Sequence, residues 1–298
     1  MHKKMLLALL AVVTVLVGCG SDDSTTGGTG TTGGGGTTSP AATFPAGSTM
    51  DLIQKKGKIT IGTKFDQPLF GLKALSGQPE GFDVEIAKLV ATAIFGSNLS
   101  GKTEFVETPS SVREQSIIDG KVDLVAATYT INDTRKEKVS FAGPYYIAGQ
   151  SILVKKDNTA ITGLDALTGK KVCTVLGSTP LKTLQTRAPS ADLGILFDTY
   201  SKCIEALKDG RVEAVSTDNV ILLGFIKDNA GLFKLVGETF TQEPYGIGVK
   251  KDDTVFRTFV NDTLDKAYKD GTWAKIFEKE VGKPTGIPTP TPPPVNRY

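Results

Sequence analysis

Along the middle of the chain, apolar positions alternate between two periodicities. Short β-rich runs, "KITIGTK" (58–64) and "KVCTVLGST" (171–179), end in glycine followed by small hydroxyl residues. Behind the first, "GFDVEIAKLVATAIFG" carries Ile86, Leu89, Val90, Ala93 and Ile94 at helical spacing. Behind the second, Thr179 followed by Pro180 reads as an N-cap with proline at the first helical position, and Leu181 and Leu184 supply the inner face. Strands alternating with helices predict parallel α/β sheets, which hold ligands at the carboxyl ends of their strands.

The pattern also repeats. "IIDGKVDLVAAT" (117–128) and "ALKDGRVEAVST" (206–217) share Asp-Gly, a base, valine and an acid, then an apolar run ending in threonine. Each closes a helical segment with a glycine, Gly120 or Gly210, and continues as a short strand. Ser111 followed by Glu114 predicts a capping box on the first of these helices. Two copies predict two lobes of similar design. A last strand-like run, "YGIGV" (245–249), and a helix with Phe256, Phe259, Val260, Leu264, Ala267 and Tyr268 on one face are too little for a third lobe. They must pack on an existing one, so the chain crosses between lobes near 147–151 and near 240–244, forming a two-strand hinge beneath a cleft. The division is 44–148 with 243–283 for lobe I and 149–242 for lobe II.

The flanks differ in kind. Residues 19–43 are rich in glycine and threonine, contain too little apolar surface to offset chain entropy, and predict a flexible tether. The segment 284–298, within "PTGIPTPTPPPVNRY", predicts an extended, solvated tail. At the start, "MHKK" and the apolar "MLLALLAVVTVLV" read as a signal peptide over 1–18, too short to span a bilayer comfortably. Leu16-Val17-Gly18-Cys19 resembles a bacterial lipobox, which implies cleavage before Cys19, lipidation of its sulfur with diacylglycerol and palmitate-type acylation, and a place on the outer face of the cytoplasmic membrane.

Charge and rare residues then narrow the chemistry. The chain has 34 basic and 32 acidic residues, and Lys3 and Lys4 of the signal peptide account for the excess. A neutral mature chain has no overall electrostatic footprint for nucleic acid. The one histidine, His2, is lost with the signal peptide, leaving no imidazole base and no histidine metal ligand, so neither a metal nor a cofactor is expected. Cys173 and Cys203 remain; in an oxidising compartment they most simply pair, two buried thiols being the alternative.

"GFDVEIAKLVATAI", "GTK" (62–64), "DGKVDLVAATYT", "TRKEKVSFAGPYY", "GST" (177–179) and "GTWAKIFEKEVG" occur in the order found in extracytoplasmic solute-binding proteins of polar amino-acid ABC transporters, and the chain resembles that family over 44–283. Within it, "GTK" followed by Asp-Gln-Pro, together with the cysteine pair, is most similar to actinobacterial glutamate-binding lipoproteins. The resemblance implies a two-lobed, type II periplasmic-binding-protein-like α/β fold whose cleft closes on an amino acid.

It also implies residue roles. Arg135 matches the arginine that grips the ligand α-carboxylate, with Thr128 and Thr130 beside it; Asp218 matches the acceptor of the α-ammonium; Ser178 and Thr179 add donors at a helix N-terminus. By charge patterning alone, "RKEK" reads as a solvated helix face and Asp218 as a helix cap. The ordered resemblance reverses both readings. Lys64 occupies a position where similar glutamine binders carry an acid, and Arg113 matches an arginine able to reach an acidic side chain; a cation there favours glutamate, with aspartate next. Three cations against Asp218 leave one to be paired internally, Arg113 with Asp66 or Glu80. Phe65 covers the ligand stem or packs as a core or rim aromatic. The implied protein is a monomeric binding protein, not an enzyme, that delivers its ligand to an ABC permease and its ATPase. A sensor reporting to a membrane receptor is the alternative, and a dehydratase on the same fold a remoter one.

Overall fold

The computed structural model describes residues 42–298; the signal peptide, Cys19 and the tether up to residue 41 lie outside the described residues. Two five-stranded sheets carry the body. The first runs Thr103–Glu107, Ile59–Thr63, Leu124–Val125, Glu243–Val249, Ser140–Ala148. The second runs Leu196–Phe197, Val172–Val175, Ala214–Asp218, Gln150–Lys155, Phe233–Val236. The first three strands of each are mutually parallel, and the repeated segments supply the third strand of each set.

The remaining strands correct the expectation of wholly parallel sheets. Glu243–Val249 lies antiparallel to both of its neighbours, and Gln150–Lys155 is antiparallel to both of its own. Only Gly149 separates Ser140–Ala148 from Gln150–Lys155. With no room for a helical crossover, the chain leaves one sheet and directly enters the other. Glu243–Val249 then returns to the first sheet beside Ser140–Ala148.

Each sheet has its own core. Helix Phe82–Phe95 presents Ile86, Ala87, Val90, Ala91 and Ile94 to the first sheet, and Thr254–Lys269 presents Phe256, Val260, Leu264 and Ala267. Burying a side chain of the Val, Leu or Phe size contributes roughly 1.5–3 kcal/mol. Trp273 and Phe277 complete this core by stacking on each other and meeting Phe82 edge-on. In the second lobe the Cys173–Cys203 disulfide, Cα–Cα 5.6 Å, ties strand Val172–Val175 to helix Tyr200–Lys208. The two cysteines are 30 residues apart in sequence, and closing a loop of that length removes about 3–4 kcal/mol of unfolded-state freedom.

Three local expectations are corrected. Helix Arg113–Ile118 starts after Val112 with no side-chain cap, because Glu114 turns instead toward Arg135, 3.3 Å away. Helix Thr179–Arg187 is capped one residue earlier than predicted: Ser178 Oγ accepts the Leu181 N–H, which frees the Thr179 hydroxyl. The proline-rich tail is docked on the first lobe. Ile287 and Val295 pack on its core and the Asn296 N–H donates to the Gly143 carbonyl at 2.8 Å. Low apolar content hid this, since a few anchoring side chains suffice when the tail's prolines already limit its freedom.

Candidate functional site

The carboxyl ends of the parallel strands converge. Ile59–Thr63 runs directly into Lys64, Leu124–Val125 leads to Thr128 and Thr130, Val172–Val175 leads to Gly177 and Thr179, and Ala214–Asp218 ends on Asp218. Lys64, Thr128, Thr130 and Asp218 are buried, as is Arg135, while Thr179 is half-buried and Gly177 exposed: Lys64 is 3%, Arg135 7% and Asp218 3% exposed. Solvation is thus replaced by protein contacts that can be followed group by group.

Arg135 lies on the short helix Asp133–Lys136, whose cap Asn132 accepts the Arg135 N–H at 2.9 Å. Its Nη1 donates to the Thr130 carbonyl at 2.7 Å, and its Nη2 crosses to the Gly177 carbonyl of the other lobe at 3.1 Å. Its guanidinium lies 5.0 Å from the Tyr129 ring centre. Burial, then the nearby Arg113, lowers its pKa to about 10. It is not a solvated charge. Arg113 also sits over that ring, 4.3 Å from its centre, and its Nη1 donates to the Ala127 carbonyl at 2.7 Å.

Thr128 occupies a conformation unusual for a branched residue, φ 45°. Such a backbone costs on the order of 1–3 kcal/mol and persists only where surroundings hold it. Asp83 does so: its Oδ2 accepts the Thr128 N–H at 2.6 Å, while Oδ1 accepts the Tyr145 hydroxyl at 2.5 Å. The Thr128 hydroxyl lies 3.0 Å from Gln67 Oε1. Lys64 Nζ donates to Ser110 Oγ at 2.9 Å. Burial and the field of Arg113 lower the Lys64 pKa to about 7.

On the opposite side, Asp218 stands at the N-cap position of helix Asn219–Asp228, but its side chain makes no capping bond. Its Oδ2 accepts the Tyr245 hydroxyl at 2.5 Å, and its Oδ1 has no hydrogen-bond partner. Burial, then Glu243, raises its pKa to about 7. Thr179 donates to Glu243 at 2.7 Å and lies 3.4 Å from the Thr130 hydroxyl. Arg113 Nε, Gln150 Oε1 and Thr217 Oγ1 are likewise buried without partners.

Ser178 and Phe65 have contacts of their own. Ser178 is consumed by its cap, donating to the Val175 carbonyl at 2.7 Å. Phe65 is half-buried in a separate surface depression with Gln78 and Phe105, the Lys73 ammonium 5.4 Å from its ring centre. Asp66 accepts the Ser201 N–H at 3.2 Å and Glu80 is exposed, so neither pairs with Arg113. The acids that act on these cations are Asp66 and Asp83 beside Lys64, and Glu114 and Glu243 beside Arg135; the sequence reading gave Asp83 and Glu243 no role and Glu114 only that of a cap. Asp83 hides in "GFDVE", where an acid in a first helical turn has a sufficient explanation in the helix dipole.

The lobes meet around these groups. Besides the Arg135–Gly177 and Thr130–Thr179 contacts, Gly224 lies so close to Pro68 that a Cβ would fall 2.5 Å from its carbonyl oxygen. A depression of about 320 Å³ outside Arg135 is lined by Glu114 and Lys138 from one side and Thr179 and Lys182 from the other. Among the described residues no His, Cys, Asp and Glu cluster could hold a metal ion, and no helix is long and apolar enough to cross a membrane.

Comparison with known proteins agrees with this architecture. The family model described as bacterial extracellular solute-binding proteins, family 3, matches residues 59–283. A glutamate-binding protein of Corynebacterium efficiens is 40% identical over 241 residues, 78% of this chain and 82% of that protein. The ABC transporter glutamine-binding protein of Bacillus subtilis is 37% identical over 277 residues, 93% of this chain and 95% of that protein. Among solved structures, an ancestral arginine-binding protein bound to glutamine superposes with a TM-score of 0.70 at 40% identity, covering 76% of this chain and 98% of that one. The fold is the two-lobed type II arrangement.

Proposed function

The chain belongs to the bacterial extracellular solute-binding proteins, family 3, and from that premise we propose that it captures glutamate, with aspartate as second choice, and delivers it to an ABC permease and its ATPase. The observation that carries the choice of an acidic ligand is Lys64. It is buried, donates to Ser110, and makes no direct ion pair with a carboxylate among the described residues, Asp66 and Asp83 acting on it only from farther off. A ligand side-chain carboxylate completes its pairing, whereas the amide of glutamine leaves the cation without an anion. A charge-assisted hydrogen bond is worth roughly 1.5–3 kcal/mol, enough for a tenfold or larger preference.

The main-chain end of the ligand fits the remaining groups. A guanidinium has five N–H donors; Arg135 directs Nη1 and Nη2 once each to carbonyls and Nε toward Glu114, so one N–H on each Nη is left for the α-carboxylate. Asp218 Oδ1, without a protein partner, accepts the α-ammonium. Thr128 and Thr130 shape the carboxylate side and Thr179 joins from the second lobe. Because the two charged ends are held by different lobes, ligand favours closure. The protein acts as a monomer, tethered through lipidated Cys19 outside the cytoplasmic membrane.

Substituting Lys64→Met tests the assignment. Glutamate affinity falls at least about tenfold while glutamine affinity changes by less than about threefold. An equal loss for both, read by calorimetric titration, contradicts it.

A further inference from the structure

The tail ends on the element that presents Arg135. Tyr298 lies between two cations, with Lys136 Nζ and the Arg257 guanidinium each 4.5 Å from its ring centre. Its hydroxyl accepts the Phe141 N–H at 2.9 Å, and its carbonyl accepts from Arg257. Beside it Arg297 pairs with Asp262 at 2.7 Å and also with Asp265. The tail thus joins helix Thr254–Lys269 to the first residues of strand Ser140–Ala148, an edge strand of its sheet.

We propose that Tyr298 is a positioning residue for Arg135, its ring and hydroxyl holding the helix Asp133–Lys136 against the strand Ser140–Ala148 so that the guanidinium stays aligned with the cleft. A four-residue helix has no stability of its own. Its orientation must come from outside contacts. Asn132 caps its start, the Lys136 carbonyl accepts Lys251 Nζ at 2.7 Å, and Tyr298 covers the Lys136 side chain. The Val139 N–H donates to the Arg135 carbonyl, and Phe141 follows two residues later, so the Tyr298–Phe141 bond limits the same short stretch from its other end. The rest of the tail explains how one aromatic residue reaches this spot. Ile287 and Val295 fasten it to the first lobe's core, and Asn296 bonds the edge strand. An edge covered this way is also closed to pairing with another chain.

The inference rests on the reading of Arg135 as the group that grips the ligand carboxylate. Its test uses full-length Tyr298→Ala and Tyr298→Phe, each also in an Arg135→Lys background, with two readouts. Tyr298→Ala speeds amide exchange over 133–141 about tenfold or more and leaves 172–175 in the second lobe unchanged. It weakens L-glutamate binding about three- to tenfold by calorimetry, but has no further effect once Arg135 is lysine. Tyr298→Phe keeps most of the affinity and exposes chiefly the Phe141 amide. Unaltered exchange over 133–141, or the same fold-loss with and without Arg135, overturns the proposal. If Arg135→Lys itself leaves glutamate affinity intact, the reading of the pocket fails, while the exchange result still decides whether Tyr298 holds the helix.

Discussion

Asp83 and Asp218 are both buried carboxylates with pKa values raised to about 7, yet they do different work. Both Asp83 oxygens are occupied, so it holds Thr128 in place; Asp218 keeps one oxygen free. If the pocket takes glutamate as proposed, a Lys64 pKa lowered to about 7 makes uptake best near neutrality. Above pH 7 Lys64 loses its proton and its hold on the side-chain carboxylate; below pH 7 Asp218 gains one and loses the ammonium. Glutamate affinity therefore has a maximum near pH 7 with limbs of up to about tenfold per pH unit, and Lys64→Met abolishes the alkaline limb alone. Calorimetric titration from pH 5 to 9 checks this; a flat profile contradicts it. The folded Lys64 pKa is below the ordinary 10.5, so stability rises with pH from about 7 upward; the aspartates, raised from 3.8, remove stability as pH climbs to about 7. At this scale the sequence showed residue types without their burial: "RKEK" has the pattern of a solvated face, and packing on Tyr129 together with the Thr130 and Gly177 carbonyls makes Arg135 an interior group.

At the scale of elements, the repeated helix-glycine-strand unit was legible because its constraints are local. Gly120 and Gly210 adopt φ 66° and 75° after αR caps, as a helix terminator should. The cap of helix Thr179–Arg187 was harder, since Ser178 and Thr179 are both good caps and adjacent. The one-residue difference matters because it gives Thr179 to the cleft. Gly177 in the same turn has φ 72°, and a Cβ there would lie 2.7 Å from the Ser111 Cα across the cleft. Gly177→Ala accordingly weakens glutamate binding by about tenfold or more while costing the ligand-free protein only about 1 kcal/mol of backbone strain. Titration paired with thermal unfolding separates the two; unchanged affinity shows that the lobes need not approach at this turn.

For the molecule as a whole, alternating strands and helices indicated two α/β lobes, but periodicity carries no information on strand direction. The antiparallel strands are those at which the chain passes between sheets: only Gly149 lies between Ser140–Ala148 and Gln150–Lys155, and Glu243–Val249 returns to the first sheet. Likewise the tail's composition signalled an extended chain and said nothing of where it docks. Residues from both lobes close on one another through Arg135 and Gly177, Thr130 and Thr179, and Ser201 and Asp66. In the proposed site, Lys64 and Arg135 come from the first lobe and Asp218 from the second, the charge pattern an acidic zwitterion would match. The most direct test is calorimetric titration of the delipidated, ligand-stripped protein with L-glutamate and L-glutamine under identical conditions. Glutamate binds at least about tenfold tighter than glutamine if Lys64 pairs with the ligand side chain; equal affinity, or tighter binding of glutamine, contradicts that pairing.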